Sequence, residues 1–265
     1  MLRGGPTSMD DRIRDRRRSV NRERGRRRGG LVLVAVLLVV AAVLFLWLRS
    51  SDVFAVKRVT ATATQRATEQ QISGLTSEAL GGSLLSLSTG AIEEALLTVP
   101  YIRSAEVYRR FPDTLDIRLV EYEPVARLRV GNGATWLVAE NGRALEKVSP
   151  PRGSGLPLVV SAGTVTPVAG ETVPGTIVSA LPVVALLETD DIRGKLPAVD
   201  RILVSAAGTI VVVLKGGSEL RLGGATELER KLMVAIDIIQ RYLRDDKQID
   251  YVDVSVPHRP AVKAE

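Results

Sequence analysis

The run LVLVAVLLVVAAVLFLWL, Leu31 to Leu48, holds eighteen residues without a charge, and it limits what the chain can fold into more than any other feature. As a helix it is roughly 27 Å long, or about 30 Å with Gly29 and Gly30, which matches the hydrocarbon core of a bilayer. Fourteen of the eighteen residues are Leu, Val or Phe, and on the insertion scale they favour membrane entry by roughly 4–8 kcal/mol. A buried core helix normally keeps a polar edge, and this run is apolar on every face. A cleavable signal peptide has a shorter apolar stretch followed by small residues at the cut. Arg49-Ser50-Ser51-Asp52 offers no such pattern. An uncleaved transmembrane helix over 29–49 is therefore expected, with Trp47 at the interface where aromatic residues gather.

The formal charge of +6 invites a nucleic-acid reading until it is divided along the chain. Residues 1–28 hold eleven Arg against four acidic residues, a net of +7, whereas the remaining 237 residues hold 25 basic and 26 acidic side chains. All of the basic excess belongs to the tail. Arginine before an apolar segment keeps that end in the cytoplasm, so residues 50–265 are expected outside. Arg16, Arg17, Arg18, Arg26, Arg27 and Arg28 are expected to set this topology. They also attract anionic lipid, at about 1 kcal/mol per residue near the surface. Such runs bind nucleic acid without sequence preference, and 4% aromatics supply few stacking platforms. Nucleic acid is not an expected partner.

The composition also removes most enzyme chemistry. With no Cys and a single His, His258, thiol catalysis, Cys-ligated zinc and a His cluster are excluded. No Gly-x-Ser-x-Gly or Ser-x-x-Lys motif occurs. The pairs Asp190-Asp191 and Asp245-Asp246 are adjacent in sequence, point in different directions and read as solvated helix ends. No catalytic residue, metal ligand or cofactor is expected.

Beyond the anchor the pattern is α+β. Phe54–Ala63 is rich in β-branched residues and reads as a strand. Thr68 and Gln71 have capping-box spacing for a short helix through Leu75, and Gly81-Gly82 stops that region. A second helix carries Ile92, Leu96 and Val99 and ends at Pro100. Strands Ile102–Arg109 and Leu115–Tyr122 follow, joined by a turn at Phe111–Thr114. Further on, strands are expected at Ala126–Val130, Thr135–Val138, Leu156–Val160, Arg201–Ser205, Thr209–Leu214 and Glu219–Leu222, with a helix over Pro174–Glu188. An amphipathic helix opens with a capping box, Thr226 and Glu229, and places Leu228, Leu232, Ala235, Ile236, Ile239 and Leu243 on one face. The last strand expected is Tyr251–Val256, interrupted by Pro257 and Pro260. Proline is confined largely to edge strands. Such an edge either templates a partner strand or is blunted against aggregation, and the residues alone do not choose.

The segment Gly81–Leu128 resembles the FtsQ/DivIB family of bacterial cell-division proteins. The resemblance rests on Gly82-Ser83-Leu84, Leu96 to Pro100, Ala105-x-Val107-x-Arg109, Phe111-Pro112-x-x-Leu115 and Glu121-x-Glu123-Pro124-Val125-Ala126. Leu220-Arg221-Leu222-Gly223, Lys231-Leu232 and Val252-Asp253-Val254 continue it. The Arg-rich tail and the SVPHRPAVK ending look similar to actinobacterial members. The resemblance implies a tail over 1–28, the anchor, a POTRA domain (β-α-α-β-β) over 50–123, a mixed β domain over 124–256 with its amphipathic helix and edge strand, and a C-terminal tail over 257–265. It implies a non-enzymatic scaffold of the septal machinery, helping to control peptidoglycan synthesis through the coiled-coil proteins FtsB/DivIC and FtsL. The partner surface carried over by position is Asp253, Ser255, Val256, His258, Arg259, Ala261 and Val262. The Glu140-Asn141-Gly142 turn, where the family often has Asp, departs from the pattern in what reads as a structural detail only.

Tyr108, Arg109, Arg110, Asp116 and Arg118 form a second candidate contact face, although charges on alternating strand positions usually mark the wet side of a sheet. Two other classes of function compete. One is a single-POTRA export or assembly factor, which would ordinarily carry several such units beside a barrel. The other is an anchored envelope hydrolase, for which no motif speaks.

Overall fold

A computed structural model describes residues 32–47, 52–62, 64–67, 69–149, 153–245 and 247–264. The tail arginines, Leu31, Leu48, Thr68 and Asp246 lie outside the described residues. Residues 32–47 form one helix, α1, with every side chain exposed. Among the described residues no helix is long and apolar enough to cross a membrane by itself.

The chain divides into two compact units. The smaller takes in the described residues up to Thr60 with Ser77–Ser88 and Tyr108–Asp116. Here the expected strand from Phe54 is shorter than its β-branched content suggests. Asp52–Phe54 is a 3-10 turn and Ala55 makes an isolated bridge to Ser83, so β1 covers only Arg58–Ala61. The cause is the Gly81-Gly82 turn. Val56 donates to the Gly82 carbonyl at 2.9 Å and accepts from Gly81 at 3.0 Å, which diverts this stretch from the sheet. Phe54 meets Phe111 edge to face at 6.0 Å, and Val56, Leu84 and Leu115 are buried.

The larger unit holds Ala61–Thr76, Thr89–Val107 and everything from Ile117. Its helices α2 (Glu69–Thr76) and α3 (Thr89–Leu97) follow β1 along the chain; β2 (Ile102–Arg110) and β3 (Thr114–Glu121) come next, each with its hairpin end in the smaller unit. The order β-α-α-β-β is the one expected, and the three strands pair as β1-β3-β2. Ile92 and Leu96 are buried on α3, and Val99 is buried just past its end.

Nine further strands form one sheet. They are β4 (Pro124–Val130), β5 (Thr135–Ala139), β6 (Ala144–Val148), β7 (Leu158–Ser161), β8 (Val199–Val204), β9 (Ile210–Leu214), β10 (Glu219–Gly223), β11 (Ile249–Asp253) and β12 (Ala261–Ala264). Their order is β12-β11-β10-β9-β8-β7-β4-β5-β6. The pairs β4–β7, β7–β8 and β10–β11 are parallel and the others antiparallel. Two strands, β6 and β12, were not anticipated.

The helix expected over Pro174–Glu188 is two short ones, α4 (Gly175–Val178) and α5 (Leu181–Leu187). Pro182 explains the break: it has no N–H for the Val178 carbonyl, and its ring would clash there in a continuous helix. The amphipathic helix, α6, spans Leu228–Arg244 and buries Leu228, Leu232, Ala235, Ile236 and Ile239. These pack into the core with Ile202, Val212, Leu220 and Val252. Leu243 departs from the expected face and stands 56% exposed. It lines an open groove with Lys247 and Tyr251. The capping box also fails. The N-cap is Glu227, in left-handed conformation (φ 49°) and without a side-chain cap. Lys231, only 2% exposed, donates from Nζ to the Gly224 carbonyl at 2.9 Å and ties the helix start to the end of β10.

Candidate partner-binding edge

The sheet ends at one side in β12, and how the chain reaches that position corrects the expectation for residues 251–265. β11 stops at Asp253, short of Val256. Asp253 turns its carboxylate onto the Ser255 N–H at 2.9 Å, which starts the reversal. Val254 stays buried and donates to the Arg221 carbonyl at 2.9 Å, and Arg259 closes a turn onto Val256 at 2.9 Å. The chain then returns antiparallel as β12, with Val252 opposite Val262 and Asp253 opposite Ala261. The segment expected as a tail therefore carries the true edge strand, and β11 is covered. Pro257 and Pro260 both fall in the connection, where a fixed φ assists the reversal and no ladder donor is lost. Ala261–Ala264 contains no proline.

Cross-strand rows sort the seven predicted residues. Leu220, Val252 and Val262 form one row, with Leu220 and Val252 fully buried and Val262 packed against the core. Arg221, Asp253 and Ala261 form the next, on the opposite face because successive side chains alternate. Ser255, Val256, His258 and Arg259 belong to the connection. Val256 is 54% exposed, and the His258 ring Nδ1 lies 3.3 Å from Arg230 Nη2 on α6. The seven residues thus cluster at one corner of the sheet without sharing a face, and only Ala261 and Val262 are on the edge strand itself. Sequence reasoning missed Lys263, which bonds Asp250 at 2.6 Å across the hairpin, and Arg230. Four residues after a proline gave too short a pattern to show a strand.

The two edges differ. At β6, Ala144 donates to Glu171 at 2.8 Å and accepts from Gly170 at 2.7 Å, and Arg143 bridges to Thr172. That edge is partly covered. Among the described residues no strand pairs with the outer side of β12.

The second predicted surface does not assemble as one face. Tyr108 and Arg110 alternate with Arg109 along β2. Arg110 pairs with Asp116 at 3.0 Å, whereas Arg109 turns the other way and donates to the Leu87 carbonyl at 2.6 Å. Arg118 is exposed on β3. Among the described residues no three potential metal ligands gather.

Residues 54–122 match the model of the POTRA domain, FtsQ-type, and residues 126–255 match that of the cell division protein FtsQ/DivIB, C-terminal. A cell division protein FtsQ from Neisseria meningitidis serogroup B is 30% identical over 227 residues, 84% of this chain and 87% of its own. The chain belongs to the FtsQ/DivIB family. Its FtsQ relatives also include one from Neisseria gonorrhoeae, 30% identical over 239 residues (87% of this chain, 90% of the relative). Another, from Myxococcus fulvus, is 29% identical over 212 residues (77% and 74%). The motifs quoted from Gly81 to Leu128 lie across both FtsQ matches, and the protein is a cell-division protein of this kind.

Proposed function

We propose that this FtsQ-family protein is a single-pass membrane scaffold of the division machinery, acting through protein contacts and not through catalysis. Its Arg-rich N-terminus lies in the cytoplasm and meets anionic lipid. The anchor occupies 29–49, a POTRA domain 50–123 and a β domain from 124 lie outside, and coiled-coil division proteins of the FtsB/DivIC and FtsL type bind at the β12 corner. The membership of the family supports the cell-division role, and α1, apolar and exposed all round, supports the anchor. The observation that carries the partner assignment is β12, an edge strand without proline and, among the described residues, without a neighbouring strand on its outer side.

Strand addition alone offsets at most the lower part of the association cost. A four-residue edge turns about half of its backbone groups outward. About four hydrogen bonds at roughly 0.5–1.5 kcal/mol each give about 2–6 kcal/mol, against an association cost of about 4–15 kcal/mol. Side-chain burial must supply the rest, and the exposed Val256 beside the edge is the apolar residue placed to do so. The test is binding of the full chain, in detergent, to the purified coiled-coil pair, with and without a truncation after Pro260. Loss of binding is expected; undiminished binding by the truncated chain defeats the strand-addition reading.

A further inference from the structure

We infer that Arg143 is a latch that fixes the β5–β6 turn onto the carboxyl end of α3, within the larger compact unit. A helix leaves its last carbonyls without partners along its own backbone; past the end of α3 at Leu97 the N–H groups of Thr98 and Val99 take those of Ala95 and Leu96, and the Ile102 N–H takes that of Val99. Arg143, 46 residues further on, reaches three carbonyls there. Its Nε donates to Pro100 at 3.0 Å, and its Nη2 donates to Leu97 at 2.9 Å and to Val99 at 3.4 Å. A cation at this end also complements the helix dipole, and the planar fork of guanidinium donors serves several acceptors at once where an ammonium would not.

The neighbours of Arg143 lie on the same joint. Its guanidinium carbon is 5.8 Å from the centroid of the Tyr122 ring, and that of Arg103 is 6.0 Å from the same ring. Asn141 donates from Nδ2 to the Tyr122 hydroxyl at 3.1 Å and accepts the Arg143 N–H at 3.1 Å. Glu140 pairs with Arg103 at 3.3 Å. Gly142 makes the turn possible: its φ is +82°, and a Cβ there would lie 2.6 Å from Val178 Cγ2. The backbone of the turn is held as well: Gly142 donates to Ala139 at 2.9 Å and accepts from Val173 at 3.0 Å. Asn141 is thus no incidental departure from the family pattern, as the sequence suggested. Residues 97–103 and Tyr122 belong to the POTRA match and residues 140–143 to the C-terminal match, so the latch joins the two across the short Glu123-Pro124-Val125 connection. The inference stands independently of any partner.

The chain has no cysteine, so labels can be placed without background. Spin labels on Ser104→Cys and Lys147→Cys, both exposed, report the joint in the full chain in detergent. One narrow distance distribution is expected. Arg143→Ala should broaden and shift it, Arg143→Lys should give an intermediate result, and Tyr122→Phe, which spares the carbonyl contacts, should give the smallest change. An unchanged narrow distribution in Arg143→Ala overturns the latch. Should that variant fail to fold, an unchanged distribution in Arg143→Lys does the same. Because no partner is present, failure of the scaffold reading leaves this measurement untouched.

Discussion

Glu121 ends β3 with its carboxylate against three backbone N–H groups, those of Gln65 at 2.9 Å, Arg66 at 3.1 Å and Ala67 at 2.7 Å. Partial burial pushes its pKa up, but the hydrogen bonds from Ala67, Gln65 and Arg66, with the Arg66 charge, outweigh this and hold it below the ordinary value. A carboxylate depressed in the folded state stabilises it fully above the unfolded pKa, and that contribution disappears as pH falls through the folded one. Glu121→Gln should therefore lower Tm at neutral pH, and the gap to the parent should close in acid as the parent's own carboxyl becomes protonated. A gap that stays constant from neutral pH into acid would show that the charge is irrelevant. No sequence pattern announces this role, because the three donors lie more than fifty residues upstream and become neighbours only when β1 and β3 pair.

α6 shows what a single element contributes and how far it is visible in the sequence. Leu232 is fully buried at the centre of its apolar face, and Leu232→Ala should destabilise the protein by about 2–5 kcal/mol through lost transfer energy and the cavity left behind. Urea unfolding of the full chain measures this, and a loss under about 1 kcal/mol would mean that the helix repacks freely. The helix face and the β2–β3 hairpin were legible because their signals are local: a period of 3.6 in one case, a turn between two alternating runs in the other. What failed depends on remote partners. Glu227 takes a left-handed conformation at an entry set by β10 and held by Lys231, so Thr226 never becomes the cap. β12 is too short to show a period and exists because β11 offers a ladder. The seven residues named by resemblance are neighbours in sequence, but their division into core row, solvent row and connection follows from the hairpin register.

For the whole molecule, the basic excess lies wholly in residues 1–28 while the remaining residues stay near neutral. If the Arg-rich end is cytoplasmic, a cysteine at Ala206, exposed after β8, should react with a membrane-impermeant maleimide in intact protoplasts. One at Ser19 should react only after lysis, and the reverse pattern would invert the topology. The nine-stranded sheet adds a further consequence through its order. From β7 onward each strand lies beside the one before it, from β8 through β12. β12 is therefore the last strand along the chain as well as the outermost in space, and its single ladder is with β11. Removing the residues after Pro260 would uncover the outer side of β11 and leave the order of the other eight strands as it is.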